Sequence, residues 1–119
     1  MRLFITNNQD MDVSFDVVIM TPAEFNAISN HPYIVSSQFD SIVIDADEDI
    51  NLEYLKATIT KNIVVPRITG DITSKVVNLL ATIYMDRAAE LQYAFMMNAD
   101  RLNEIVEELK EQFEWEKFY

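Results

Sequence analysis

From Ile72 to Lys117 the chain contains neither glycine nor proline. Apolar residues recur through this stretch at Ile72, Val76, Leu79 and Ile83, then at Leu91, Phe95, Leu102, Ile105, Leu109 and Phe113. Spacings of three and four place them on one face of a 3.6-residue repeat, so the stretch is predicted to be helical. Unbroken, it would run for roughly 70 Å at 1.5 Å per residue. A domain of about 100 residues has a radius of gyration near 13 Å. The segment must therefore bend or project. Asn98-Ala99-Asp100 is the expected break, because Asn98 or Asp100 can cap a second helix. The apolar rhythm also slips at Asp86-Arg87, a weaker candidate.

The first part of the chain alternates between strand-like and helix-like segments. Arg2–Thr6, Ser14–Met20, Gln38–Ala46 and Asn62–Ile68 are short runs rich in β-branched residues, as buried strands are. A further short strand is expected at Tyr33–Ser36. Thr21-Pro22-Ala23-Glu24 carries a helix start: a capping threonine, proline at the first helical position and a glutamate able to close a capping box. Asn51–Thr60 presents Leu52, Leu55 and Ile59 on one helical face. Pro66 cannot donate to a ladder, which assigns it to a strand end or a sheet edge. Gly70 marks a turn, with Asp71 expected to cap the helical stretch after it. Strand and helix in alternation imply an α/β fold. The expected form is a small, mostly parallel sheet of three to four strands with crossover helices. A long C-terminal helix or helical hairpin follows. Residues 1–70 would form the sheet domain. Residues 71–119 would pack on it, mediate dimerisation, or both, in one compact unit.

Composition limits function. The 119 residues include 20 acids and 9 bases, for a net charge of −11, and no cysteine. Thiolate metal sites, disulfides and cysteine nucleophiles are excluded. The charge argues against direct nucleic-acid binding, whose energy comes from Lys and Arg. No apolar run is long enough to span a bilayer, and the acidic C-terminal helix would be repelled by anionic lipid. A cytoplasmic protein with no membrane association and no cofactor is expected. The charge is uneven: residues 1–50 and 90–119 are acidic, and the middle is mildly basic.

Two acidic clusters stand out. One is the loop Asp45-Ala46-Asp47-Glu48-Asp49 at the end of the clearest strand. The other is Glu104, Glu107, Glu108, Glu111, Glu114 and Glu116. Like charges at i, i+4 and acids late in a helix both oppose helix stability, so local helix energetics do not account for them. The loop begins like a calcium loop, but Ile50 stands where glycine is needed and Lys56 where a bidentate glutamate is needed. A weak magnesium site using the Asp45–Asp49 loop is the remaining metal reading. Gly70 is the only glycine, so no phosphate-cradling loop exists. His31, the only histidine, precedes Pro32 and offers no catalytic triad.

Phe39-Asp40-Ser41-Ile42-Val43-Ile44-Asp45 resembles the third strand of a response-regulator receiver domain, and Asn62-Ile63-Val64-Val65 with Thr69 is similar to its fourth strand and switch hydroxyl. The resemblance implies a phospho-acceptor role for Asp45. It departs from that family at Asn7 and Asn8, where receivers carry metal-binding acids, and after Gly70, where helix replaces the strand that precedes their lysine.

Tyr93, Phe95, Met96 and Met97 form one aromatic and methionine cluster, expected as core. Phe113, Trp115, Phe118 and Tyr119 form another, expected to meet a partner or a second protomer. Together these features predict a non-enzymatic acidic interaction module. It would be an inhibitor or regulator of the viral or mobile-element kind, dimeric, docking on a basic surface of a protein partner, with nucleic-acid mimicry as its most specific form. Asp45, Asp47, Glu48, Asp49, Glu104, Glu107, Glu108, Glu111 and Glu114 would supply charge, with Trp115 and Phe118 as apolar anchors. A degenerate receiver-like signalling domain and a small magnesium-dependent enzyme are the alternatives.

Overall fold

The structure is a computed structural model that describes residues 1–8, 16–30, 38–46, 48–68 and 70–115. Four strands, β1 (Arg2–Ile5), β2 (Val17–Met20), β3 (Ser41–Asp45) and β4 (Ile63–Arg67), form one parallel sheet in the order β2-β1-β3-β4. The expected α/β class is therefore correct, with all four strands parallel. β4 is an edge strand, which is where Pro66 is tolerated. The strand expected at Tyr33–Ser36 lies outside the described residues.

Helix α1 (Pro22–Ala27) begins with the expected capping box: Glu24 N donates to Thr21 Oγ1 at 3.1 Å, and Thr21 N donates to Glu24 Oε1 at 3.2 Å. Helix α2 (Leu52–Ile59) is capped by Asn51, whose side chain accepts from Tyr54 N. The glycine-free segment breaks twice, giving α3 (Ser74–Ile83), α4 (Ala88–Met97) and α5 (Ala99–Phe113). Thr73, not Asp71, caps α3, accepting from Val76 N at 3.4 Å. A short 3₁₀ turn at Met85–Arg87 makes the first corner. Asn98 makes the second, its side chain accepting from Arg101 N at 3.1 Å.

Period-2 alternation sorts each strand onto two faces. Leu3, Ile5, Ile42 and Ile44 share one face and enter the main apolar cluster with Phe25 of α1, Leu55 of α2, Leu79 and Leu80 of α3, Leu91 of α4 and Leu109 of α5. The other face carries Arg2, Phe4, Val43, Asp45 and Arg67. The guanidinium groups of Arg2 and Arg67 lie 5.1 and 5.6 Å from the Phe4 ring centroid.

Helices α4 and α5 form an antiparallel hairpin about Asn98. Arg87 at the foot of α4 reaches Glu108 of α5, and Arg101 near the start of α5 reaches Glu90 of α4. The residue ending α5, Glu114, is in the left-handed region (φ 51°, ψ 57°). That conformation turns the chain so that Trp115 stacks on Tyr84, with centroids 6.1 Å apart and ring planes 7° from parallel.

Candidate functional site

In a parallel sheet of this order the connections leaving β1 and β3 run in opposite directions, which opens a crevice at the carboxyl ends of those strands. Thr6, Asn7 and Asn8 follow β1, and Asp45 ends β3 with Ala46, Glu48 and Asp49 after it. Asn7 Nδ2 donates to Glu48 Oε2 at 2.6 Å, tying the two loops together. Asp49 is paired with Lys75 of α3 at 3.3 Å, and its carbonyl accepts from Asn26 of α1 at 3.2 Å. Asp47 lies outside the described residues. The acidic loop thus holds α1, α3 and the β1 loop in register.

Asp45 ends β3 and is only 7% exposed. Its register partner on β4 is Arg67, 5% exposed, a residue that sequence reasoning did not single out. Asp45 Oδ1 and Arg67 Nε are 3.9 Å apart, an ion pair too long to be a hydrogen bond. A lone base within a β-branched strand, in Asn62–Ile68, was the available signal, since burial of a charge demands a partner.

The second acidic cluster is on α5. Glu108 accepts from Arg87 at 2.9 Å and from Arg101 at 3.3 Å. Glu104 accepts from Arg101 at 3.2 Å, and Glu107 pairs with Lys110 at 3.5 Å. Glu90 accepts from Arg87 at 2.8 Å and also from Arg101. The hydrogen bond from Arg87 is the main reason that Glu90 and Glu108 both lie below the usual carboxylate range. Glu111 and Glu114 are exposed and make no ion pair among the described residues. Part of the acidic face is therefore explained by the hairpin stitch, and Glu111 and Glu114 are not.

Among the described residues, Trp115 and the first aromatic cluster depart from expectation, while Phe113 is 47% exposed. Trp115, expected as an anchor for a partner, is buried within the chain at 7% exposure, and its Nε1–H donates to Tyr84 Oη. Phe118 lies outside the described residues. Tyr93, Met96 and Met97, expected as core, are 67%, 77% and 67% exposed. Phe95 is 39% exposed. The cause is geometric. Helix α4 is apolar nearly all round, and its neighbours cover only the side holding Leu91 and Ala94.

Among the described residues no three His, Asp or Glu side chains converge to hold a metal ion. No helix there is long and apolar enough to cross a membrane. Compared with known protein families, with characterised proteins and with solved structures, the chain finds no match.

Proposed function

We propose that the protein is a non-enzymatic interaction module, an inhibitor or regulator that docks an acidic face on the basic surface of a protein partner. The observation that carries this is the outer side of the α4–α5 hairpin. It exposes Tyr93, Met96 and Met97 on α4, with Glu104 and Glu108 of α5 joined to α4 through Arg101 and the exposed Glu111 and Glu114 further along α5. Exposed apolar residues rimmed by charge mark interaction surfaces, and the field of a chain carrying −11 steers basic partners. Pairing of two copies through the same hairpin is the competing use of this face.

The test is affinity capture from the native cell across a salt series, using wild type and a Glu104→Gln/Glu111→Gln double variant. A basic protein retained at low salt, released by high salt and lost with the double variant supports the proposal. A captured set indifferent to salt and to the variant ends it.

One observation favours a second reading. Receiver domains share the order β2-β1-β3-β4, and Asp45 ends β3 as their phospho-acceptor does. The residues present do not fit the family's magnesium ion: Asn7 and Asn8 replace its acids, and Asn7 is already bonded to Glu48. Acetyl phosphate in a magnesium buffer, read by intact mass, decides the matter. Addition of one phosphoryl group at Asp45 supports this reading, and an unchanged mass removes it.

A further inference from the structure

Ala89, Tyr93 and Met96 recur at i, i+4 and i+7, so they line one stripe of α4. Met85 and Gln92 extend it on one side, where it runs into a shallow groove over Ala81 and Ala88. Met97, four residues after Tyr93, extends it on the other. Every large side chain in this stripe is exposed: Met85 is 63% exposed, and Tyr93, Met96 and Met97 exceed it. Unbranched methionine side chains can adapt to whatever packs on them.

The edge of the stripe toward α5 is acidic. Arg101 contacts Glu90 of α4 together with Glu104 and Glu108 of α5, which places these α5 carboxylates within one guanidinium of α4. Arg101 and Arg87 serve two or three carboxylates each, so negative charge is left over along this edge. Glu111, one turn beyond Glu107, adds to it.

We infer that the α4 stripe is a docking face for an amphipathic basic helix of the partner, its apolar side on Tyr93, Met96 and Met97 and its Lys or Arg edge along Glu104, Glu108 and Glu111. This rests on the interaction-module reading and names what that face takes. A second copy of the chain is the weaker occupant, because each copy brings a further −11. A helix that is apolar on one side and basic on its edge matches both properties of the face.

The probe is an amphipathic helical peptide of leucine and lysine, compared with a scrambled peptide of the same composition. Binding is followed by isothermal calorimetry, and the oligomeric state by sedimentation. The protein variants are Met96→Glu, Tyr93→Ser and Glu104→Gln/Glu111→Gln. The substituted positions are exposed, and far-UV circular dichroism verifies that each variant folds. The patterned peptide should bind wild type and lose about tenfold or more in affinity with Met96→Glu or Tyr93→Ser. The glutamate variant separates the two forces, because added negative charge would strengthen a purely electrostatic contact. The double glutamine variant should flatten the salt dependence.

Equal binding of both peptides, unaffected or strengthened by Met96→Glu, overturns the inference and leaves the acidic docking reading standing. A dimer that Met96→Glu dissociates, with no peptide bound, overturns it in favour of the second copy. A monomer that binds neither peptide overturns both the inference and the reading beneath it.

Discussion

Tyr84 sits at the corner between α3 and α4, and its ring lies 4.7 Å from Phe113 and 6.1 Å from Trp115, centroid to centroid. Burial pushes its phenol up to about 12, with the hydrogen bond from Trp115 pulling it part of the way back. Replacing Tyr84 by Phe keeps the ring contacts and removes the acceptor. A buried indole N–H left without a partner costs about 1–3 kcal/mol, so Tyr84→Phe should be less stable by that amount at neutral pH. Alkaline pH narrows the difference. In the unfolded chain the phenol ionises near pH 10, and in the folded chain only near 12. A raised folded value means stability that is complete below pH 10 and lost as the pH rises through 12. At about 1.4 kcal/mol per unit, discounted for the solvent screening of a partly exposed ring, the wild type gives up about 1–2 kcal/mol over that interval. The variant has no such loss at this position. Urea unfolding followed by the fluorescence of Trp115, the only tryptophan, should therefore show the two proteins converging between pH 10 and pH 12. A stability gap that stays constant from neutral pH to pH 12 would refute the reasoning, since it would mean that Tyr84 titrates alike in both states.

Asn98→Ala removes the cap at the hairpin corner and should cost about 1 kcal/mol in chemical unfolding. Leu109→Ala, at a position with no exposure, should cost about 2–5 kcal/mol by the same measurement. Arg67→Met strands the buried Asp45 carboxylate and should cost about 3–5 kcal/mol, whereas Asp45→Leu/Arg67→Met should recover most of that loss. Glu114→Gly relieves a left-handed residue and should raise stability by about 0.5–1 kcal/mol, read as an increased Tm. Glu90 and Glu108 lie below the usual carboxylate range, so the stability they lend is present above about pH 4.5 and fades as the pH falls further. Wild type should therefore lose more stability than Arg87→Gln on acidification, and equal losses would show that the exposed network contributes nothing.

The sheet was legible because its signals are local. β-Branched runs, a proline confined to an edge and a threonine-proline-alanine-glutamate start each act within a few residues, and each has its place in the fold. The corner at Asn98 was legible for the same reason, since a capping side chain acts on the first turn of its own helix. The strand ends were less so. Gln38–Ala46 contracts to Ser41–Asp45, because Ser41–Ile44 have register partners on both β1 and β4 and Asp45 has one on β4 alone. The α3 cap moved from Asp71 to Thr73 because both residue types can cap, and the helix start is set by which of them sits three residues before a core position, here Val76.

The site was harder to see, and α4 shows why. A helix whose apolar residues point in every direction carries no preferred inner face of its own. Which face is covered depends on where α3 and α5 lie. The position of α5 is supported by Asn98 and by the Arg87–Glu108 and Arg101–Glu90 pairs, contacts between helices that leave no mark on the apolar periodicity of α4 itself. The same geometry buries Trp115, because the hairpin returns the end of α5 to the corner at Tyr84, and Glu114 turns the chain inward there. Composition marks both clusters as apolar, but the hairpin determines that Trp115 is covered and Tyr93, Met96 and Met97 are not. This gives the hairpin stitch a consequence beyond stability. Substituting both Arg87 and Arg101 with Gln should loosen α5 from α4 and bring Leu91 and Ala94 toward solvent along with Tyr93 and Met96. Such a variant should gain binding of a hydrophobic dye while keeping the signature of its sheet in circular dichroism. No gain in dye binding would mean that apolar packing at Leu91, Ile105 and Leu109 orients α4 without help from the charges.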